Sequence, residues 1–130
     1  MSESKQLTPE QFLAATSLPC EQVEVPQLGG YLYVQGLSGT ERDAFEATLT
    51  RRRGGKRNLE NVRARLLVRC LVDRPGGARL FGDSLVEVQR VGRIRVDVLQ
   101  RLFDVAQRLS GLSDEDLDEL GPPSETAPAG

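Results

Sequence analysis

Residues 80–120 read LFGDSLVEVQRVGRIRVDVLQRLFDVAQRLSGLSDEDLDEL and hold the longest helical pattern of the chain. At about 100° per residue, the residues from Ile94 to Leu109 separate into an apolar half and a polar half of a helix. The polar half consists of Asp97, Gln100, Arg101, Asp104, Gln107 and Arg108. The apolar half consists of Ile94, Val98, Leu99, Leu102, Phe103, Val105, Ala106 and Leu109. So wide an apolar face predicts a helix that lies across a domain core, because a two-stranded coiled coil needs only a narrow seam.

The sequence after this helix predicts a stop and then a short acidic helix. Gly111 is placed to adopt the left-handed conformation that ends many helices, and Ser113 is placed to cap the next one. The acidic residues that follow suit the positive end of the helix dipole. A metal site is the minor alternative, because the spacing of a calcium-binding loop is missing. The leucines of this last helix pack on the core or on a partner, and the candidate partner-binding residues are Phe103, Leu112, Asp114, Leu117 and Leu120.

The N-terminal third predicts a short capped helix followed by a β-hairpin. Thr8 and Gln11 form a capping box at the start of the helix, and Pro19 ends it. Between residues 20 and 34, apolar and polar residues alternate on both sides of a Leu-Gly-Gly turn at residues 28–30, which predicts two antiparallel strands. Two strands alone are marginally stable in water, so this hairpin must pack on the helices.

Three more helices are predicted between the hairpin and the long helix. Their caps are Ser38, Asn58 or Asn61, and Asp83 or Ser84. They end near Arg52, Asp73 and Gly92. The middle helix has a broad apolar face made of Leu59, Val62, Leu66, Leu67, Cys70 and Leu71. Arg65 and Arg69 lie off that face, a glycine-rich turn follows at 73–77, and residues 78–81 pair briefly as a strand or pack as a loop.

These elements predict an α+β fold that is mainly α-helical. We expect one small domain of about five to six helices, with an N-terminal β-hairpin at about residues 20–35 packed on them. The domain spans residues 8–120, after a flexible N-terminus at 1–7. Residues 121–130 read GPPSETAPAG, whose composition predicts a disordered tail.

Composition argues against several functional classes. The chain has 130 residues and a net charge of −2, which gives no bulk electrostatic reason to bind nucleic acid or a membrane. No apolar stretch approaches the length of a membrane span, so we expect a soluble protein that stays where it is made. The sequence contains no histidine, the commonest general base, so we expect no enzyme and no cofactor. Cys20 and Cys70 predict two unpaired, buried or half-buried thiols rather than a disulfide.

One cluster of basic residues supports a competing hypothesis. Its members are Arg51, Arg52, Arg53, Lys56 and Arg57. They fit either a phosphate-binding patch of a small nucleic-acid-binding regulator or a solvated loop whose cations favour a helix C-terminus. The solvated loop is the better interpretation, because no aromatic residues interleave to stack bases.

The order of these segments resembles the tail assembly chaperones of long-tailed, siphovirus-type bacteriophages. The matching pieces are VEVPQLGGYLYVQGLSGTERDAFE at Val23–Glu46, NVRARLLVRCLVD at Asn61–Asp73, RLFGD at Arg79–Asp83 and LQRLFDVAQRLSGLSDEDLDEL at Leu99–Leu120. Together they span most of the chain from Leu7 to Leu120, and the resemblance lies in their combination. The linker Arg90–Val96 departs from the family's pattern, which leaves the start of the long helix open.

The resemblance implies a non-catalytic protein of the infected host cell's cytoplasm that is absent from the mature virion. Its partners would be the long, helical tape measure protein, which it keeps soluble, and the tail tube protein. A longer form of the chain made by programmed frameshifting would be a further partner, with residues 121–130 as the linker. The apolar faces also allow homo-oligomerisation. A structural head–tail or tail component of the virion is another alternative.

Overall fold

The computed structural model describes residues 4–49 and 58–112, which form an α+β fold that is mainly helical. Its helices are α1 (Pro9–Leu13), α2 (Gly39–Ala47), α3 (Val62–Cys70), α4 (Leu85–Gly92) and α5 (Val96–Leu109). Its strands are β1 (Cys20–Val25), β2 (Gly30–Gln35) and β3 (Leu71–Val72), which form an antiparallel sheet in the order β1-β2-β3. The predicted fold class is confirmed. The expected last helix from Ser113 and the expected tail at 121–130 lie outside the described residues.

The predicted hairpin is confirmed with its turn. β1 and β2 pair from Cys20 opposite Gln35 to Val25 opposite Gly30. A single 3₁₀ turn, Pro26–Leu28, connects them, and Gly29 closes it with a φ of 73°. Glycine adopts a positive φ at little steric cost, so the hairpin tip forms here and leaves Leu28 at its end.

The prediction that the middle helix runs to Asp73 is wrong. Helix α3 ends at Cys70, and Leu71 already has an extended ψ of 122°. Leu71 and Val72 form β3 by pairing with Val34 and Tyr33 of β2. The apolar pattern continues through both elements, but the open edge of β2 offers backbone hydrogen bonds to a strand, so tertiary pairing overrides the helical pattern.

Helix α5 lies across α3 and the sheet, as its wide apolar face predicts. Its buried apolar residues are Val98, Leu99, Leu102, Phe103 and Ala106. The helix begins at Val96, not at Ile94. The N–H of Ile94 donates to the carbonyl of Val91 at 3.1 Å, so Ile94 belongs to the turn that ends α4.

Gln107 departs from the predicted pattern of α5 because it is buried. It was expected on the polar half of the helix. The chain turns back over this end of α5, and the N–H of Leu112 donates to the carbonyl of Gln107 at 2.9 Å. Gly111 makes that turn with a φ of 72°, as predicted.

The caps resolve the alternatives that the sequence left open. Ser84, not Asp83, caps α4, because its hydroxyl accepts the N–H of Glu87 at 3.3 Å. Ser38 caps α2 in the same way. Asn61 is the residue before α3, but it has a φ of 56° and no side-chain capping bond. Helix α2 ends at Ala47, earlier than the predicted Arg52.

Helix α1 starts at the predicted cap but is shorter than expected. Both bonds of the capping box between Thr8 and Gln11 are present. The helix ends at Leu13, before the predicted stop at Pro19, and none of its residues is buried. None of the helices in the described part of the chain is long and apolar enough to cross a membrane.

The two cysteines are unpaired, as predicted. Cys20 is half-buried and Cys70 is buried. The Cys70 sulfur lies 3.7 Å from the Ser110 hydroxyl. Burial raises the pKa of the Cys70 thiol to about 12, so this thiol is chemically unreactive at neutral pH.

Candidate functional site: an apolar groove

An apolar groove opens between the hairpin tip and the α4–α5 turn, with a volume of about 300 Å³. We call it the apolar groove. Its lining consists of Leu28, Leu32, Leu67, Leu71, Leu80, Phe81, Arg90, Val91, Ile94, Val98, Leu99 and Leu102. Arg90 is the only charged side chain in this lining of described residues. A site of this kind recognises apolar side chains, not an anion or a metal ion.

The rim of the apolar groove comes from three separate loops. Leu28 ends the hairpin turn, Leu80 follows β3, and Ile94 lies between α4 and α5. These side chains are 66%, 41% and 44% exposed, respectively. Concentrated exposure of large apolar side chains in one concave place marks a surface that another molecule covers.

The floor of the groove is part of the core. Leu67 of α3, Leu71 of β3 and Leu102 of α5 are all buried. The rim residue Leu80 is fixed to this floor, since its N–H donates to the Leu71 carbonyl at 3.0 Å. The shape of the groove is therefore set by packed elements and backbone hydrogen bonds.

Two of the predicted partner-binding residues, Phe103 and Leu112, are buried. They are 5% and 2% exposed and belong to the core. Leu112 is buried because Gly111 reverses the chain and directs Leu112 back onto α5, with paired bonds from residues 111 and 112 to the last turn. Phe103 is covered by the Arg63 guanidinium, 5.6 Å from the ring centroid. Asp114, Leu117 and Leu120 lie outside the described residues.

The residues of the predicted phosphate-binding patch, 51–57, also lie outside the described residues. The chain segments before and after them are joined by a buried arginine, Arg65. Arg65 was expected off the apolar face of its helix, yet it is buried. Its guanidinium donates to the carbonyls of Thr48 and Asn58 at 2.8 and 2.7 Å, and also to the carbonyl of Glu60. Burial lowers the pKa of Arg65 from its ordinary value. Its donors are thus occupied by backbone acceptors.

A second group of charges, the ion-pair cluster, consists of Glu41, Arg69, Arg79 and Asp83. Arg69 contacts Glu41 at 3.1 Å and Asp83 at 3.3 Å. Arg79 pairs with the same two carboxylates. The cluster joins α2, α3 and the loop before α4, and its two positive and two negative charges balance. Arg69, like Arg65, was expected off the buried face, but its side chain is only 10% exposed.

Sequence patterns gave no direct signal of the apolar groove. Leu28 was assigned to a turn, Leu80 to a short strand or loop, and Ile94 to the core face of α5. Each assignment treats one segment by itself, whereas the groove requires three distant segments to meet. One feature of the sequence could have indicated the groove: a large apolar residue lies beside each of these predicted turns, where polar residues are usual.

No protein-family model matches the chain, and no curated protein or solved structure is similar enough to it to count as a match.

Proposed function

We propose that this chain is a non-catalytic tail assembly chaperone of a long-tailed bacteriophage. It binds the tape measure protein, keeps that long helical protein soluble and promotes assembly of the tail tube around it. The resemblance of four linked segments between Val23 and Leu120 supports the family. The observation that carries the mechanism is the apolar groove, with Leu28, Leu80 and Ile94 exposed at its rim.

The chemistry of the groove suits such a client. A helix that presents apolar side chains at positions i, i+3 or i+4 and i+7 places them along one line, which fits a concave apolar surface. Burial of those side chains removes from water the surface through which client chains would otherwise aggregate. Arg90 at the edge of the groove selects a client helix with an acidic flank.

The remaining partners follow from the same proposal. The tail tube protein joins the complex of chaperone and client, and a frameshifted longer form of the chain extends beyond residue 130. The protein acts in the cytoplasm of the infected cell and leaves before the virion is complete. Detection of the chain in purified particles would instead favour a structural virion component.

Co-expression with the tape measure protein encoded beside it tests the proposal. We expect the soluble fraction of the client to rise severalfold with the native chain, and the two proteins to co-purify. The double variant Leu28→Ser, Ile94→Ser should lose this effect. The control Val86→Ser should keep it, because Val86 is 63% exposed but lies outside the groove. An insoluble client with the native chain present would refute the proposal.

The nucleic-acid alternative has its own test. A regulator that uses the basic residues 51–57 would shift DNA at low salt and lose that shift on changing Arg51, Arg52 and Arg53 to Ala. We expect no shift, because no aromatic residues interleave in this segment to stack bases and the chain has a net charge of −2.

A further inference from the structure

We propose that residues 4–17, which we call the arm, dock in the apolar groove of a second copy of this chain. The two copies exchange arms and form a symmetric dimer. The proposal combines an apolar segment that contacts no core with an apolar groove that no described segment fills.

The arm forms a short helix, but the rest of the described chain buries none of its residues. Every residue from 4 to 17 is exposed. The large apolar side chains Leu7, Phe12 and Leu13 are 61%, 69% and 70% exposed, respectively. Leu7 and Phe12 occupy the positions before the cap and in the first turn at which two apolar residues meet as a hydrophobic staple. These apolar side chains therefore form one exposed apolar side of the arm.

A helix as short as α1 does not persist by its own hydrogen bonds. Isolated helices below about 12 residues are marginal in water. α1 has only the capping box and the local bonds that follow it, such as Thr16 N–H to the Ala14 carbonyl at 2.8 Å. A surface that buries its apolar side supplies the missing stabilisation.

The arm and the groove are complementary in chemistry. Leu7, Phe12 and Leu13 are apolar, as is the groove except at Arg90. The arm carries Glu10 beside this apolar side. The Arg90 guanidinium lies 3.5 Å from the Glu87 carboxylate but its side chain is 64% exposed, so docking can also place the Glu10 carboxylate near it while the apolar residues enter the groove.

The geometry of the chain favours the groove of a second copy over its own. The arm leaves the fold at Pro19, whose carbonyl accepts the N–H of Gly36 at the end of the hairpin opposite the tip. None of the arm's apolar side chains lines the groove of its own chain, and Leu7, Phe12 and Leu13 are 61–70% exposed. The structure of one chain thus keeps the arm outside its own groove, which leaves the groove of a second copy as the place where the arm is buried.

Measurement of molar mass by light scattering across a hundredfold range of concentration tests the dimer. We expect a mass approaching twice that of one chain as concentration rises. Phe12→Ser with Leu13→Ser should weaken dimerisation at least tenfold without unfolding the chain, because neither residue is buried. Ile94→Glu in the groove should weaken it similarly, and Val86→Ser should not. A monomer throughout, or a dimer indifferent to the arm variant, would overturn the proposal.

A cross-linking experiment locates the arm directly. In a Cys20→Ser background, one chain carries Leu13→Cys and a second, differently sized chain carries Leu28→Cys. Mild oxidation of the mixture should produce a disulfide-linked pair containing one chain of each kind. A third chain that carries both substitutions is the control. If this chain forms a disulfide within itself while the mixture gives no cross-linked pair, the arm docks in its own groove and the exchange is overturned. Because no client is present, these results are independent of the chaperone proposal.

Discussion

The two sides of helix α3 differ: one carries charged side chains that pair within the chain, and the other lies against the apolar groove. On one side, Arg65 and Arg69 leave the helix and find acceptors for their donors: three backbone carbonyls for Arg65, and Glu41 and Asp83 for Arg69. On the other side, Leu67 forms part of the floor of a groove whose rim leucines and isoleucine stay exposed. The charges on this side are paired within the chain, although the buried Nε of Arg69 has no hydrogen-bond partner among the described residues, whereas the apolar groove is filled by no described segment. The comparison supports the proposal that a partner is recognised through apolar contact, whereas these charges stabilise the fold of the chain itself.

The largest effect is expected at Arg65. Replacement by Leu leaves the carbonyls of Thr48, Asn58 and Glu60 without their donor, which should lower the free energy of unfolding by about 3 kcal/mol. Arg65→Lys should recover only part of this loss, because an ammonium group lacks the planar fork that reaches three carbonyls. Urea unfolding measures the difference, with the exposed Arg93→Leu as a control that changes little. Full recovery in the Lys variant would show that charge, not geometry, matters here.

A smaller effect is expected in the ion-pair cluster. Glu41→Gln removes the carboxylate shared by Arg69 and Arg79, but Asp83 remains and the cluster is partly exposed. We expect a loss of about 1 kcal/mol in the free energy of unfolding. Glu46→Gln, which breaks the single half-buried pair with Arg42 on one helix, is the matched control and should cost less, because only one ion pair is lost. Equal costs would mean that the cluster adds nothing beyond a single ion pair.

Changes in the apolar groove should hardly affect stability. Leu28→Ser with Ile94→Ser removes apolar surface that is already exposed, so the free energy of unfolding should change by less than about 0.5 kcal/mol. The same variant should lose client binding, as measured by co-purification. If thermal unfolding showed a large loss of stability in this variant, Leu28 and Ile94 would belong to the core rather than to a binding surface. That result would contradict the comparison.

The smallest effect concerns Glu21, on the outer edge of the hairpin. Hydrogen bonds from the Arg108 guanidinium, both at 2.8 Å, lower the pKa of Glu21 from its ordinary value of about 4.5. The stabilisation from this pair is present above pH 4.5 and is lost as the pH falls through the lowered pKa. Unfolding at pH 7 and pH 3 should therefore show a slightly weaker pH dependence for Glu21→Gln. An unchanged pH dependence would show that the pair contributes nothing.

The sequence predicted the elements whose causes are local. The capping residues Thr8 and Ser38, the hairpin turn and the reversal at Gly111 each depend on a few neighbouring residues, and each is confirmed. Strand β3 was missed because Leu71 and Val72 continue a helical apolar pattern, and only the edge of β2 makes them a strand.

The candidate site was harder to predict than the fold. The partner surface was expected on Phe103, Leu112, Asp114, Leu117 and Leu120, since apolar residues near a helix end fit both a core and an interface, and only the first two lie among the described residues. The turn at Gly111 decides between these, and it buries Leu112. The apolar groove depends on the convergence of residues 28, 80 and 94, which no periodicity in one segment can indicate.

The isoleucine δ1 methyl signal offers the most direct test of the apolar groove as the client-binding surface. Ile94 is the only isoleucine in the chain, so selective ¹³C labelling gives one resonance at the rim of the groove. The titration uses a helical fragment of the tape measure protein and the Phe12→Ser, Leu13→Ser background, in which the arm leaves the groove open. We predict that the resonance shifts in a saturable manner as client is added, and that Leu28→Ser weakens this shift. Client binding that leaves the Ile94 resonance unchanged would contradict the account.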